Sequence, residues 1–231
     1  MKVFAIGDLH LSHEVDKPMD VFGGGWEDHA EKIANNWREK INSEDMVLIP
    51  GDISWAMHLE DAIPDLRLLC ELPGQKFFIR GNHDYWLDSP SKVREVLDST
   101  THLIRYNATV YKGVGICGVR GWPWPGYSEY EEAEDAKHWH RAKKRLELSL
   151  DDLEREDWDV GVAMVHYPPL NTERASAICD MLEEAGIEWV VYGHLHGEAT
   201  ESAFEGLRNG VMYSCVSADH IEFSPLTLFE T

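Results

Sequence analysis

Short apolar runs rich in β-branched and aromatic residues recur at 2–6, 46–49, 76–79, 108–111, 114–119, 160–165, 189–192, 211–216 and 226–229. Each has the length of a strand. Between several of them the apolar positions step by three or four: Trp26, Ala30, Ile33, Trp37 and Ile41; Leu59, Ile63, Leu66 and Leu69; Ala177, Ile178, Met181, Leu182 and Ala185. That spacing predicts amphipathic helices with one core face. Pro64 either occupies the first turn of a helix starting near Ala62 or kinks a longer one. A further helix is predicted over 131–154, with Trp139, Ala142, Leu146, Leu150 and Leu153 on one face and dense charge elsewhere. The stretch GWPWPGY at 121–127 is a rigid loop, because its prolines cannot continue a strand. The first half alternates strand and helix, and the second mixes helices with hairpin-like strand pairs. The pattern predicts a layered α/β fold with at least one mixed sheet.

Length and charge narrow the functions open to such a fold. At 231 residues the chain can bury a sizeable core as one domain, 1–231. Its 21 basic and 42 acidic side chains leave a formal charge of −21, and the pI is near 4.8. A surface of that sign repels polyanions, which argues against long DNA or RNA as partner. The opening MKVFAIGDLHL has too short an apolar run for a signal-peptide core, and no stretch reaches membrane-spanning length. The expectation is a cytoplasmic protein without a membrane partner. Cys70, Cys117, Cys179 and Cys215 form no CxxC and mostly sit in apolar segments, so they read as reduced core residues.

Candidate chemistry follows the strands. Five runs end in groups that bind metals, usually after a glycine that turns the chain: Gly7-Asp8-Leu9-His10, Gly51-Asp52, Gly81-Asn82-His83-Asp84, His166 without a glycine, and Gly193-His194-Leu195-His196. Five strands of one sheet ending together would aim these groups at one place. Asp8 with His10, and His194 with His196, stand two apart, so an extended backbone would put each pair on one side. Carboxylate, imidazole and amide donors without thiolate suit Mn, Fe or Zn.

In order along the chain, DxH, GD, GNHD, a lone histidine after a strand, and GHxH resemble the motifs of the calcineurin-like metallophosphoesterases, and they span residues 8–196. The resemblance implies an α/β fold, a four-layer sandwich of two mixed β-sheets flanked by α-helices. It also implies two divalent metal ions, with Asp8, His10 and His196 holding one, Asn82, His166 and His194 the other, and Asp52 bridging them. His83 and Asp84 are then left for catalysis, His83 protonating the leaving group while Asp84 fixes its tautomer. The nucleophile would be a metal-bridging hydroxide attacking phosphorus in line. With roughly +4 from the ions, −2 from Asp8 and Asp52 and −1 from hydroxide, roughly +1 remains to hold a phosphate oxygen.

Each residue also has an ordinary reading. Asp8 and Asp52 could cap turns, Asp84 could cap the segment after it, and a lone histidine such as His166 is usually a satisfied core residue. Only the ordered set reverses that reading. His13, His29, His58, His102, His138, His140 and His220 match no ligand position. Trp55, Tyr85, Trp86, Trp122, Trp124, Tyr127 and Tyr167 stand next to the ligand loops, and some could form a rim for a flat leaving group; Trp55, Tyr85 and Trp122 are the candidates. Arg80, Arg105 and Arg120 stand near strand ends, and Arg120 is the preferred clamp for a second phosphate or carboxylate.

The function expected is hydrolysis of a small phosphate ester, a diester or nucleotide-type pyrophosphate. GDLHLS and GNHD are similar to the small bacterial phosphodiesterase branch and differ from the GDxHG and GNHE of the Ser/Thr phosphatases. A phosphomonoesterase, a nuclease and a non-catalytic metal-binding scaffold are the alternatives. Retention of His83 and all the ligands argues against the scaffold, and the acidic charge argues against the nuclease.

Overall fold

The computed structural model describes residues 1–15, 17, 19 and 25–231. Strands β1 (Lys2–Ala5), β2 (Met46–Ile49), β3 (Gln75–Phe78) and β4 (Thr101–Leu103) run parallel, and β11 (Leu226–Glu230) joins β1 antiparallel, in the order β11-β1-β2-β3-β4. The second sheet is ordered β5-β6-β7-β8-β10-β9. Its parallel centre is β6 (Val114–Val119), β7 (Val160–Val165), β8 (Trp189–Tyr192) and β10 (Val211–Cys215). Its antiparallel edges are β5 (Thr109–Tyr111) and β9 (Gly206–Arg208). Both sheets are therefore mixed.

Alternation along the strands assembles the layers, since successive side chains point to opposite faces. Val3, Ala5, Met46, Leu48, Phe77 and Ile79 of the first sheet meet Val114, Ile116, Val162, Met164 and Val191 of the second in a dry seam. The other face of the first sheet, with Phe4, Ile6, Val47, Ile49 and Phe78, packs under α1 (His29–Lys40), α2 (Leu59–Glu71) and α3 (Pro90–Val96). The other face of the second, with Cys117, Val119, Ala163, Val165, Val190 and Tyr192, packs under α4 (Glu132–Leu153) and α5 (Ala177–Glu184). The result is helices, sheet, sheet, helices: the four-layer α/β sandwich expected. Strands covered on both faces have continuous apolar runs, which explains the sequence pattern.

Local departures have local causes. Strands β4 and β9 have no counterpart among the predicted runs, because three-residue strands such as THL and GLR carry too little pattern. Helix α3 starts with Pro90 in its first turn, a start signal without a long apolar stripe behind it. Pro64 lies inside α2, five residues beyond its first residue, so the longer-helix alternative is the one adopted. Helix α1 begins at His29, after Asp28 has turned the chain through a left-handed conformation, so Trp26 lies before it. All four cysteines are free, and burial pushes the Cys117 thiol up to about 12. Among the described residues no helix is long and apolar enough to cross a membrane.

Trp37 ties α1 to the first sheet: it has no exposed surface, and its Nε1 donates to the carbonyl of Pro73 at 2.8 Å. Trp37→Ala should cost about 3–5 kcal/mol of unfolding free energy by urea titration, from the cavity it leaves.

Candidate metal centre

The parallel strands of the two sheets end side by side. The amide of Gly7, just past β1, donates to the carbonyl of Val216, just past β10, at 2.6 Å, and the amide of Ala218 returns to the Gly7 carbonyl at 3.0 Å. The candidate ligands thus come from both sheets, not from one: Asp8, His10, Asp52 and Asn82 follow β1, β2 and β3, while His166, His194 and His196 follow β7 and β8. That corrects the single-sheet expectation. Two sheets packed face to face supply ligands from two directions, which one flat row of strand ends does not.

The pairs are not extended either. Asp8, His10, Asp52 and His194 all have left-handed backbones, with φ of 55°, 45°, 54° and 74°. Such conformations are uncommon for residues with a Cβ, and they persist only where the surroundings hold them. Main-chain bonds do so here: the Asp8 amide donates to the Gly51 carbonyl at 2.9 Å and the His10 amide to the Asp52 carbonyl at 3.0 Å. The glycines before the ligands serve mainly as space. A Cβ on Gly81 would lie 2.0 Å from Asp52 Oδ1, and one on Gly193 would lie 2.0 Å from Asp8 Oδ2.

The donors converge. His10 Nε2 lies 3.2 Å from His196 Nε2, and His196 Nε2 lies 3.7 Å from Asp8 Oδ1, so Asp8, His10 and His196 form one group. Asn82 Oδ1 is 2.5 Å from His166 Nε2 and 2.9 Å from His194 Nδ1, a second group. Asp52 Oδ2 stands between them, 3.8 Å from His10 Nε2 and 3.5 Å from His166 Nε2. Asp8 also joins Asp52 and His166 in a cluster of mutually close donor atoms.

Tautomers test whether these residues fit a cation. His166 Nδ1 sits 3.0 Å from the carbonyl of Pro50, an acceptor only, so the ring proton is on Nδ1 and Nε2 presents a lone pair. That lone pair faces the Asn82 amide oxygen, which has no proton to share, and the carboxyl of Asp52. His196 Nδ1 donates to Asp219 Oδ1 at 2.8 Å and directs its Nε2 toward His10 and Asp8. His10 Nδ1 is buried and has no hydrogen-bond partner among the described residues. Buried lone pairs facing one another are unfavourable alone and suit a divalent cation of the borderline kind.

Charge leads to the same fit. Burial first, and the neighbouring Asp52 after it, push the Asp8 carboxyl up to about 8 against the pull of His196. Burial pushes Asp52 up to about 6. His166 is held down near 3 and His194 near 2, again chiefly by burial, and His10 well below its ordinary value. His10, His166 and His194 are therefore neutral at neutral pH, whereas His196 has its pKa raised against its burial by the hydrogen bond to Asp219 and the nearby Asp8; its proton, like those of the raised carboxyls, is one that a cation would displace.

Asp84 departs from its expected role. One of its oxygens accepts from the amides of Ile53 and Ser54 and from Trp86 Nε1, and the other from the amides of Asp52 and Gly81. The carboxylate thus ties the loop carrying Asp52 to the loop carrying Asn82 and is not directed at the His83 ring. Its burial and the nearby Asp52 raise its pKa to about 7, while all five partners are donors and favour the ionised form. His83 itself lies half-buried beside Asp52, its amide donating to Asp52 Oδ1 at 2.8 Å, and burial lowers its pKa against the pull of Asp52.

The aromatic candidates divide. The Trp55 ring stacks on His10 at 4.6 Å and touches His83 at 4.2 Å, so it packs the ligand rings as well as bordering the site. Tyr85 is exposed beside His83. Trp122 stacks on His138, and Arg120 lies over the Trp122 ring at 4.7 Å. Trp86 and Trp124 are buried and bond to Asp84 and to the Pro168 carbonyl, so they do not form a rim.

Several supporting residues carry no sequence signal. Asp219 orients His196; Ser217 Oγ donates to Asp8 Oδ2 at 3.1 Å; Trp26 stands edge-on to His10 and His196. His29, read as ordinary, has its Nε2 3.1 Å from the His10 carbonyl.

A sequence model described as "Calcineurin-like phosphoesterase" matches residues 1–198. The Gene 66 protein of Mycobacterium phage D29 is 37% identical over 83 residues, which cover 36% of this chain and 40% of the phage protein. The match thus spans about two fifths of that relative. Two solved structures share the fold at 15% identity. One is a protein of unknown function, AQ665 of Aquifex aeolicus, at a TM-score of 0.51 with 98% of this chain and 95% of that one covered. The other is TT1561 of Thermus thermophilus, at a TM-score of 0.55 with 84% and 81% covered.

Two outcomes follow from the geometry. Asp84→Asn places an amide donor against backbone donors and should lower stability by about 1.5–3 kcal/mol in urea titrations. A residue that only steered His83 would leave stability unchanged. Mn²⁺ binding must displace protons held by the raised carboxyls of Asp8 and Asp52, so apparent affinity should rise from pH 6 to pH 8 and then level off. Calorimetry in buffers of different ionisation enthalpy should record proton release that diminishes over the same range.

Proposed function

Since the chain belongs to the calcineurin-like phosphoesterase family, whose members usually bind divalent metals and hydrolyse phosphoesters, we propose that it is a dinuclear phosphohydrolase acting on a small phosphodiester or nucleotide-type pyrophosphate. The observation that carries the reading is the convergence of Asp8, His10, Asp52, Asn82, His166, His194 and His196, with lone pairs facing one another across both sheet ends. In this reading Asp8, His10 and His196 would hold one ion of Mn, Fe or Zn, Asn82, His166 and His194 would hold a second, and Asp52 would serve both. When bound, such a pair lowers the pKa of water to supply a nucleophile at neutral pH and polarises a phosphoryl oxygen.

The chain's own residues supply the rest. His83, beside Asp52 and open to one side, gives a proton to the departing alkoxide. Trp55 fixes the rings of His10 and His83, and Asp84 fixes the loops that carry Asp52 and Asn82. Tyr85 and Trp122 offer flat faces to a leaving group, and Arg120 a charge to a further anionic group. Ligands drawn from both sheets support reading 1–231 as a single domain, and three buried free thiols fit a reducing cytoplasm.

The metal-stripped protein reloaded with Mn²⁺ should hydrolyse bis-p-nitrophenyl phosphate faster than p-nitrophenyl phosphate, and Asp52→Ala should hydrolyse neither. A faster monoester would make the chain a phosphomonoesterase, and no turnover of either despite bound Mn²⁺ would make it a binding scaffold. His83→Ala should retain Mn²⁺ binding and lose roughly 10²- to 10⁴-fold in kcat on substrates with poor leaving groups.

A further inference from the structure

Beside the candidate metal centre lies a cavity of about 240 Å³ whose lining includes Arg80, Arg105, Arg120, Arg141 and Arg145 and, among the described residues, contains no carboxylate. Five of the chain's eleven arginines thus meet at one place in a protein of net charge −21. They come from separate elements: Arg80 just past β3, Arg105 after β4, Arg120 just past β6, and Arg141 and Arg145 from one face of α4. Folding brings like charges together here against their mutual repulsion.

Their partners are few. The nearest carboxylate to Arg80 is Asp88, at 4.0 Å and almost wholly exposed, and among the described residues none lies within 4.0 Å of Arg105, Arg120, Arg141 or Arg145. Arg80 Nε and Arg105 Nη1 are buried without a hydrogen-bond partner among the described residues. Elsewhere in the chain Arg155 pairs with Asp152 and Arg208 with Glu183. Aromatic faces hold the cluster in place instead: Arg120 lies over Trp122 at 4.7 Å, and Arg145 and Arg105 lie over Tyr106 at 4.7 and 5.7 Å. Guanidinium groups fixed in this way, with unused donors, match the planar, two-pronged recognition of phosphate oxygens.

The cavity borders the metal centre. Arg80 immediately precedes Gly81 and the candidate ligand Asn82. On the other side the carbonyl of Arg120 accepts from the amide of Tyr167, whose ring lies 4.3 Å from His194 and 5.8 Å from Trp122. A ligand reaching from one place to the other passes the Trp122 and Tyr167 rings.

We propose that this arginine cavity binds a second phosphoryl group of the substrate, so that the preferred substrate is a small organic molecule carrying a phosphate in addition to the one cleaved. The inference rests on the hydrolase reading above and extends it to substrate class. It also explains how a strongly acidic chain attracts a polyanion: one focused positive cavity outweighs a repelling surface at close range.

The test separates the cavity from the chemistry. Calorimetry on the metal-free protein should detect tripolyphosphate binding that weakens with salt. The doubly substituted Arg105→Gln, Arg145→Gln protein should bind it at least about tenfold more weakly, and Arg67→Gln, exposed on α2, should bind as the wild type does. Urea midpoints establish that each variant is folded. With the Mn²⁺-loaded wild type, the p-nitrophenyl phosphodiester of thymidine should be cleaved with a kcat/KM at least about tenfold higher when the other sugar hydroxyl carries a phosphate. The double substitution should abolish that preference. Equal tripolyphosphate affinities in wild type and variant, or cleavage of both esters without preference, overturn the cavity assignment and leave the hydrolase reading intact. Arginine-dependent binding of tripolyphosphate with cleavage of neither ester upholds the cavity as an anion site and overturns the hydrolase reading.

Discussion

Two carboxylates, Asp8 and Asp52, lie almost without exposed surface at the junction of two sheets, and the rest of the site is arranged around the cost of placing them there. Burying one such charge unpaired is expensive, and burying two close together adds repulsion. The amides of His194 and His83 and the hydroxyl of Ser217 offset part of that cost. No lysine or arginine forms an ion pair with either group among the described residues. Divalent positive charge brought from outside would match this arrangement in place of the protons the raised carboxyls hold, and imidazoles and an amide surround the place where it would sit. The fold and the family membership lead to the same chemistry by separate routes.

The backbone bears part of the load. Four candidate ligands adopt left-handed conformations: Asp8 and His10 are held by main-chain bonds to the neighbouring loop, Asp52 by the Asp84 carboxylate, and His194 by that of Asp8. The dry seam between the sheets keeps the two sets of strand ends in register. Gly81 and Gly193 leave room for these carboxylates, since a single added carbon would meet Asp52 or Asp8. Strain concentrated at a site and relieved elsewhere is a common mark of function.

Much of this was legible in the sequence because the chemistry is concentrated in short blocks after apolar runs. Asp8, His10, Asp52, Asn82, His166, His194 and His196 all stand where such runs end, and the structure brings them together. The runs also mark out the layers, since strands covered on both faces need apolar residues at every position. What the sequence does not show depends on contacts between distant segments. Asp219, His29 and Trp26 support ligands far away in the chain, and no local pattern marks them. Asp84 stands out in the sequence through its neighbour His83, but its partners are backbone amides that a sequence does not display. The arginine cavity is visible there only as Arg80, Arg105 and Arg120; Arg141 and Arg145 join it because α4 crosses above the strand ends, whereas periodicity alone places its charged face in solvent.

If two metal ions share one site through Asp52, as proposed, electron paramagnetic resonance of the Mn²⁺-loaded chain will show it, because ions roughly 3.5–4 Å apart couple magnetically. An exchange-coupled spectrum is expected at saturating Mn²⁺, and Asp52→Ala should convert it to that of uncoupled ions. A spectrum of isolated ions from the saturated wild type would overturn the shared site.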